Sequence, residues 1–349
     1  MSQSRAVFLV VVLIVIGLTM VYPPLRILNW LVPDFAHNAS LACLLYGIPV
    51  ASRIALERWS IPALRAVSAV IMTWMGSCFL AFVLLLPTEL LVLSGADAQQ
   101  LAALLCALVL ALSLWGMVNA WMLHVQTLDT PAPEALRGTT IAQISDVHIG
   151  SRAPGFLAPI VARVNQLQPD YVVITGDLID MRDIPREALA ALAQFEAPTL
   201  FCTGNHERYV DLEAICARLT DLGIDVLRNR STLHDSIQFI GIDDAEAKTQ
   251  VAEVLPSIDP VPDAYRILLY HRPDSAEAAA AWGCHLMLTG HTHRGQIIPF
   301  NFLVSRVFPR LYRDYHVDDM TLYVSPGTGT WGPVMRIGSK CEITLIRLL

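Results

Sequence analysis

Long apolar runs dominate the first third of the chain. A helix needs about 20 apolar residues to cross a hydrocarbon core about 30 Å thick, and three uncharged runs reach or approach that length: residues 6–22, 66–88 and 101–123. A fourth run, 36–52, is interrupted by His37, Asn38 and Pro49, so it is either a fourth span or a re-entrant or interfacial piece. The pattern predicts a transmembrane helical domain over residues 1–125, with about four helices.

From Thr140 onward the pattern changes to short apolar strands that alternate with amphipathic helices. Strands are predicted at residues 140–144, 171–175, 199–203, 238–242, 266–270, 285–289, 322–324 and 342–346. Helices are predicted at residues 155–168, 184–195, 210–222 and 275–282. Such alternation is typical of an α/β domain, in which ligands bind beyond the carboxyl ends of the strands. The domain is predicted to cover residues 139–349, with a linker at 126–138.

Composition supports this division. Of the 349 residues, 54% are hydrophobic and 16% are charged, against about 25% charged in an average soluble domain. Residues 1–123 hold five arginines and four acidic residues, which leaves 19 basic and 27 acidic residues, a net charge of −8, for the remainder. These figures exclude a disordered chain and an ordinary soluble enzyme. Without a basic block, no nucleic-acid binding is expected.

The first apolar run has the shape of a secretory signal, because Arg5 precedes an apolar core. However, Tyr22-Pro23-Pro24 is not a small-residue cleavage site, so an uncleaved helix is predicted. The runs themselves contain no charged residue. Because an ion pathway through them would lack candidate residues, anchoring is the predicted role of this half.

With four spans, the N-terminus, the loop 53–65 and the C-terminal domain share one side of the membrane. Arg26 alone faces the other side, whereas the shared side carries Arg5, Arg53, Arg58 and Arg65. The positive-inside rule then predicts a multi-pass protein of the inner (cell) membrane with its catalytic domain in the cytoplasm. If the run 36–52 is not a span, the domain lies opposite the N-terminus, and we expect the arginine counts to become contradictory.

Candidate metal ligands directly follow five of the predicted strands. They are Asp146 and His148 in ISDVHIG, Asp177 in TGDLID, Asn205 in TGNHER, His271, and His291 and His293 in TGHTHRG. Carboxylates and imidazoles together suit Mn, Fe, Zn or Ni, and the lack of cysteine among them argues against structural zinc. Asp146 and His148 alternate along an extended segment, so both can reach one ion. Each motif alone is an ordinary turn, but five in this order indicate a metal centre.

The order Asp-x-His, Gly-Asp, Gly-Asn-His-Glu, His and Gly-His-x-His resembles that of the calcineurin-like metallophosphoesterase superfamily. The ending SPGTGTWGPVMRIGSKCEITLI looks like its branch of bacterial membrane-associated phosphohydrolases. The resemblance implies a four-layer αββα sandwich that binds two divalent metal ions. It implies that one ion is held by Asp146, His148, Asp177 and His293, and the other by Asp177, Asn205, His271 and His291, with Asp177 as the bridging ligand.

The resemblance also implies the chemistry. Two ions about 3.5–4 Å apart polarise phosphoryl oxygens and convert a bridging water to hydroxide for in-line attack. His206 matches the family's catalytic histidine and is predicted to donate a proton to the leaving oxygen; the alternative is a histidine that only orients a ligand. For Asp180 and Glu207 there are two equally weighted expectations: either they orient ligands, or they are ordinary turn residues.

The segment 300–315 (FNFLVSRVFPRLYRDY) has no metal role but an unusual composition. Its aromatic and aliphatic side chains are interleaved with Arg306, Arg310 and Arg313, a mixture that suits the boundary between lipid headgroups and acyl chains. We expect either a surface that lies against the bilayer or caps a lipid-bearing substrate, or a core-packing insertion with exposed arginines. Arg208 is expected either to contact a substrate phosphate or to form a surface salt bridge.

These observations predict a membrane-anchored, dinuclear-metal phosphohydrolase that cleaves phosphoester or pyrophosphate bonds by metal-activated hydroxide. Similar enzymes hydrolyse UDP-diacylglucosamine, so a lipid-linked substrate of that kind is one expectation. A nucleotide or generic phosphodiesterase is the second, because metal ligands alone do not define the substrate. The third, from another class, is an inactive membrane scaffold or sensor with a metal-bound domain, which the intact His206 disfavours.

Overall fold

The computed structural model describes residues 13–32, 39–59 and 61–349 of the chain. The chain folds as two compact units. The first comprises the described residues up to Val118 together with Gly332–Met335, and the second comprises Asn119–Trp331 and Arg336–Leu349.

The described residues of the first unit form the helices α1 (Leu13–Leu31), α2 (Ala39–Arg58), α3 (Pro62–Leu93) and α4 (Ala98–Asn119). By length and composition, α1, α3 and α4 could each cross a membrane. In α2 the apolar part is the shorter Ala39–Ser52, and Pro49 lies inside it. The described residues thus contain three candidate spans, and the run 36–52 stays a prediction as a fourth. Residues 6–12 and 36–38 of the predicted runs lie outside the described residues.

Two of the candidate spans, α1 and α3, include charged residues that lie beyond the uncharged runs. A π-helical turn at Gly17–Val21 lies just before Pro23 and Pro24, as is common where the hydrogen-bond ladder of a helix is interrupted. The helix continues to Leu31 and therefore includes Arg26. The guanidinium of Arg26 donates from Nε and Nη2 to the carboxylate of Glu89 in α3, at 2.6 and 2.9 Å. Two of the candidate spans therefore share an ion pair that the uncharged runs did not predict.

The second unit contains twelve strands in two sheets. The strands are β1 (Leu123–Thr130), β2 (Thr140–Ile144), β3 (Tyr171–Thr175), β4 (Thr199–Cys202), β5 (Asp225–Val226), β6 (Arg230–His234), β7 (Ile237–Ile242), β8 (Tyr265–Tyr270), β9 (Leu286–Thr289), β10 (Arg313–Val317), β11 (Met320–Val324) and β12 (Cys341–Leu348). The first sheet has the order β1-β12-β2-β3-β4-β5, and the second has the order β10-β11-β9-β8-β7-β6. Within them β2, β3 and β4 run parallel, as do β7, β8 and β9.

The helices of this unit are α5 (Leu157–Gln166), α6 (Asn205–Tyr209), α7 (Leu212–Asp221), α8 (Gln250–Val254), α9 (Ala276–Trp282) and α10 (Asn301–Val307). A 3₁₀ segment, Arg186–Gln194, occupies most of the predicted helix 184–195.

Three buried clusters show how the layers stack. Side chains such as Val173 of β3 and Phe239 of β7 pack between the two sheets. Val172, the neighbour of Val173, instead joins Ile160 of α5 on the outer face of the first sheet, because adjacent strand residues point to opposite faces. On the outer face of the second sheet, β-strand residues pack against α8 and α9. The predicted four-layer αββα sandwich is therefore confirmed.

All eight predicted strands are present, with ends that differ by a few residues, while β1, β5, β6 and β10 were not predicted. The most consequential of these is β1, which pairs in parallel with β12. The helix predicted from the third apolar run, 101–123, therefore ends earlier than expected. It stops at Asn119, and β1 starts at Leu123. The interval expected as a linker, 126–138, consequently begins inside a sheet.

Candidate metal centre

Loops that follow five parallel strands bring the predicted ligands together from both sheets. Asp146 and His148 follow β2, Asp177 follows β3, Asn205 follows β4, His271 follows β8, and His291 and His293 follow β9. In three groups the ligand atoms lie within 4.8 Å of one another: Asp146 with His148 and His293, Asp177 with His271 and His291, and His148 with Asp177 and His206.

In the first group the donor atoms of the side chains face one another. Nε2 of His148 lies 3.1 Å from Nε2 of His293, and Nε2 of His293 lies 3.4 Å from a carboxylate oxygen of Asp146. The Asp177 carboxylate is also close, at 3.8 Å from Nε2 of His148. These four are the residues that the sequence predicts for one ion.

The second group contains the same Asp177 carboxylate. Nε2 of His271 lies 3.1 Å from that carboxylate and 3.1 Å from Nδ1 of His291. Asn205 is buried, and its side-chain oxygen Oδ1 has no hydrogen-bond partner among the described residues. A buried carbonyl oxygen without a partner is costly, and coordination to a cation would satisfy it. The donors therefore fit a second ion, with Asp177 between the two groups.

Several hydrogen bonds orient the ligands. The ring Nδ1 of His271 donates to the backbone carbonyl of Thr175 at 2.8 Å, which leaves Nε2 as the atom that faces Asp177. The hydroxyl of Ser145 donates to Asp146 at 2.6 Å. For the ligand His148, the oxygen Oδ2 of Asp180 lies 3.4 Å from its ring atom Nδ1. Asp180 thus contacts a ligand and is not merely a turn residue.

Glu207 holds the loop that carries Asp177. Its fully buried carboxylate accepts hydrogen bonds from the backbone N–H groups of Asp177 (3.0 Å), Leu178 (2.7 Å), Ile179 (3.0 Å) and Gly204 (2.8 Å). One side chain therefore ties the loop after β3 to the loop after β4. Of the two alternatives for Glu207, the structure favours the one in which it orients a ligand.

The ligand loops have a strained backbone. Five of the ligands have left-handed φ angles: Asp146 (52°), His148 (55°), Asp177 (53°), His291 (71°) and His293 (48°). Such conformations cost about 1–3 kcal/mol each and cluster at functional sites. Gly204 allows a close approach, because a Cβ atom there would lie 2.2 Å from Asp177 Oδ1.

Burial and mutual attraction determine the charges of the cluster. Burial by itself would raise the pKa of Asp177, but His271 and His148 hold it well below its ordinary value. Burial would also lower the pKa of His271, yet the carboxylates of Asp177 and Asp146 raise it to about 10. A metal ion must therefore displace a proton from His271, so metal affinity is expected to fall as the pH falls.

His206 lies at the rim of the cluster. Its Nε2 is 3.9 Å from the Asp177 carboxylate, and its side chain is 15% exposed, whereas that of His148 is fully buried. The rings of Tyr209 and Trp331 lie 5.4 and 5.8 Å from its ring, and both of these side chains are exposed. Burial lowers the pKa of His206 to about 4, although Asp177 opposes that shift. Sequence reasoning did not identify Tyr209 or Trp331.

The four predicted substrate-binding arginines have different environments in the structure. Arg208 donates to the backbone carbonyl of Asp244 at 2.8 Å. Arg310 forms an ion pair with Glu277 at 2.5 Å. The guanidinium of Arg313 lies 5.4 Å from the ring centroid of Tyr312, and Arg306 is exposed on α10.

The segment 300–315 does not form a core-packing insertion at α10, because that helix has no buried residue. Phe302, Leu303 and Val307 are 68, 63 and 60% exposed. Phe308, which follows the helix, packs edge-to-face against the ligand His291 with ring centroids 4.9 Å apart. An exposed apolar helix therefore adjoins the cluster.

We predict that Glu207→Gln weakens metal binding. The amide retains one acceptor oxygen but turns an NH₂ group toward backbone N–H donors, so the Asp177 loop loses hydrogen bonds. Loss of a group that orients a ligand typically costs about 10–100-fold in metal affinity. Titration of the metal-free protein with Mn²⁺ measures the change, with Glu253→Gln, at an exposed position, as the control. Unchanged affinity in Glu207→Gln would contradict the positioning role.

Comparisons with known proteins agree with this geometry. Residues 139–295 match the family model of calcineurin-like phosphoesterases. A transmembrane protein with metallophosphoesterase domain of Danio rerio is 36% identical over 285 residues, which cover 74% of this chain and 64% of the relative. An uncharacterized metallophosphoesterase of Campylobacter jejuni is 32% identical, over 64% of this chain and 63% of its own length. One of Aquifex aeolicus is 28% identical, over 68% of this chain and 96% of its own length. The chain thus spans less than two thirds of the Danio and Campylobacter relatives. Residues 139–295 of the chain are therefore a calcineurin-like phosphoesterase domain.

Proposed function

We propose that this protein is a membrane-anchored phosphohydrolase that uses two divalent metal ions to hydrolyse phosphoester or pyrophosphate bonds. The observation that carries the proposal is the Asp177 carboxylate shared by two groups of donors, at 3.8 Å from His148 and 3.1 Å from His271. Paired metal sites of this kind serve in-line displacement at phosphorus.

Each ion would have only nitrogen and oxygen donors. Asp146, His148, Asp177 and His293 would hold one ion, and Asp177, Asn205, His271 and His291 the other. This donor set suits Mn, Fe, Zn or Ni. When bound, the ions would polarise the phosphoryl oxygens and lower the pKa of a bound water.

The position of His206 supports a role as general acid. Its side chain is accessible, whereas the ligands beside it are buried, so a substrate can approach it. With a pKa of about 4, the free imidazole is neutral at neutral pH. An anionic phosphoester next to the ring would raise the pKa of His206, and Nε2 would then donate its proton to the leaving oxygen.

The three candidate spans support a membrane anchor, and the arginines support its orientation. With α1, α3 and α4 as spans, the segment between α1 and α3 is on the same side of the membrane as the second unit. Arg53 and Arg58 lie in that segment and Arg65 at the start of α3, whereas Arg5 precedes α1 in the sequence. The contradiction expected for three spans therefore does not arise. We propose a multi-pass protein of the inner (cell) membrane with a cytoplasmic catalytic domain.

The exposed side chains of α10 support a lipid-linked substrate. Because Phe308 joins this helix to His291, an acyl chain on Phe302 and Leu303 would bring its phosphate group near the metal centre. A tethered enzyme also meets lipids at high local concentration. We therefore propose a lipid-linked phosphoester or pyrophosphate, with UDP-diacylglucosamine as the first compound to test.

We predict that His206→Ala discriminates between leaving groups. An alkoxide needs a proton to leave and p-nitrophenolate does not, so kcat should fall about 10²–10⁴-fold for an alkyl phosphodiester and less than about tenfold for bis-p-nitrophenyl phosphate. Steady-state assays of the full-length protein with Mn²⁺ measure both. The matched control is His316→Ala, at an exposed position in β10.

Equal losses on the two substrates would contradict the proton-donor role of His206. If the wild-type protein binds two ions and turns over neither substrate, the inactive scaffold becomes the better account.

We predict that the double variant Phe302→Ser, Leu303→Ser selectively impairs a lipid-linked substrate. Contact with two large apolar side chains contributes about 1.5–3 kcal/mol each when they are fully buried, so kcat/KM for UDP-diacylglucosamine in mixed micelles should fall at least about tenfold. Hydrolysis of bis-p-nitrophenyl phosphate should not change. Leu233→Ser, at a 50% exposed position in β6, is the control. Equal activity of variant and wild type on the lipid would favour a nucleotide or generic phosphodiesterase.

A further inference from the structure

The segment that follows the last apolar helix is built into the second unit. We call Asn119–Trp121 the exit segment, because α4 ends at Asn119. The side-chain amide of Asn119 donates to the backbone carbonyls of Arg336 and Ser339, both at 2.9 Å. Asn119 and Ala120 are buried. The exit segment is therefore a packed part of this unit.

One arm of contacts leads from the exit segment to His293. Arg336, whose carbonyl accepts from Asn119, is itself fully buried. Its guanidinium donates to the carbonyls of Pro326 (2.7 Å), Gly329 (2.6 Å) and His293 (3.4 Å). A single side chain thus ties the backbone of His293 to the loop after β11 and, through Asn119, to the exit segment.

A second arm leads to His148. The carbonyl of Ala120 accepts a hydrogen bond from Nη2 of Arg152 at 3.0 Å, and the backbone N–H of Arg152 donates to the carbonyl of His148 at 2.8 Å. The Arg152 guanidinium lies 4.3 Å from the Trp121 ring and 3.7 Å from the Phe156 ring.

Arg152 is an expensive residue to bury. It is 1% exposed, and within the part of the chain that the structure describes its Nε and Nη1 atoms have no hydrogen-bond partner. Burying a charge without a full set of partners destabilises a fold. Stacking on two aromatic rings offsets part of that cost and gives the guanidinium one well-defined position against Trp121.

We propose that the exit segment positions one half of the metal centre: through Arg152 and Arg336 it holds His148 and His293, two ligands of the same ion. The described contacts of the exit segment do not include Asn205, His271 or His291, the separate ligands of the other ion. The inference rests on the proposed two-metal function. It makes the end of the membrane helix a determinant of metal affinity at one site and not the other.

The test uses the full-length protein in detergent, stripped of metal and titrated with Mn²⁺. Asn119→Ala removes two hydrogen bonds of the first arm, and Trp121→Ala removes the ring against Arg152. Since Trp121 is 56% exposed, the second variant should fold even if the first does not. Asn165→Ala is the matched control, because the amide of Asn165 also donates to a backbone carbonyl, that of Gln194, but away from the ligands.

For either exit-segment variant we expect two Mn²⁺ sites, one with a Kd raised about tenfold or more and the other unchanged. In Asn165→Ala both Kd values should match the wild type. An equal rise at both sites, or unchanged Kd values with a lower thermal midpoint, would show that the exit segment supports the fold alone and would overturn the inference. Failure of the wild type to bind Mn²⁺ would instead defeat the proposed two-metal function, and this inference with it.

Discussion

The constraint on which the rest of the structure depends is the burial of many polar groups around one carboxylate. Asp177 lies within 3.9 Å of ring nitrogens of His148, His206 and His271, and it is almost fully buried. Removing charges from water costs several kcal/mol per ion unless partners replace the water. Two divalent cations would be such partners. Two features of the fold maintain this arrangement. The backbone is left-handed at five of the ligands, and the Glu207 carboxylate accepts hydrogen bonds from four backbone N–H groups.

The double sheet is a consequence of the same requirement. Ligands of the first sheet and ligands of the second meet only because parallel strands of both sheets end at the same edge of the sandwich. The core between the sheets, with residues such as Leu200 and Ile267, determines how far apart the two sets lie. Small changes in that packing would therefore change the distances between the ligands of the two sheets. The exit segment adds a further contact of this kind, from the end of α4 to the loops of two ligands.

Sequence reasoning succeeded where the signal is local. Each buried strand is a compact apolar run, so the eight strands could be predicted, and each predicted ligand lies directly after one of them. It failed where the signal is distant: β1 follows an apolar helix and pairs with β12 more than 200 residues later in the chain. The roles of Glu207 and Arg152 depend on backbone groups that only the fold brings together. Likewise, the ion pair of Arg310 with Glu277 joins residues 33 positions apart, and no local signal in the sequence indicates it.

The most direct test of the account is the number of metal ions bound per chain, measured with turnover of bis-p-nitrophenyl phosphate, in the wild type and in Asp177→Asn. We expect two ions and metal-dependent turnover for the wild type. Loss of the shared carboxylate should reduce occupancy of both sites and abolish turnover, while Asp259→Asn, at an exposed position, should behave as the wild type. An Asp177→Asn variant that keeps both ions and hydrolyses the substrate would contradict the central claim.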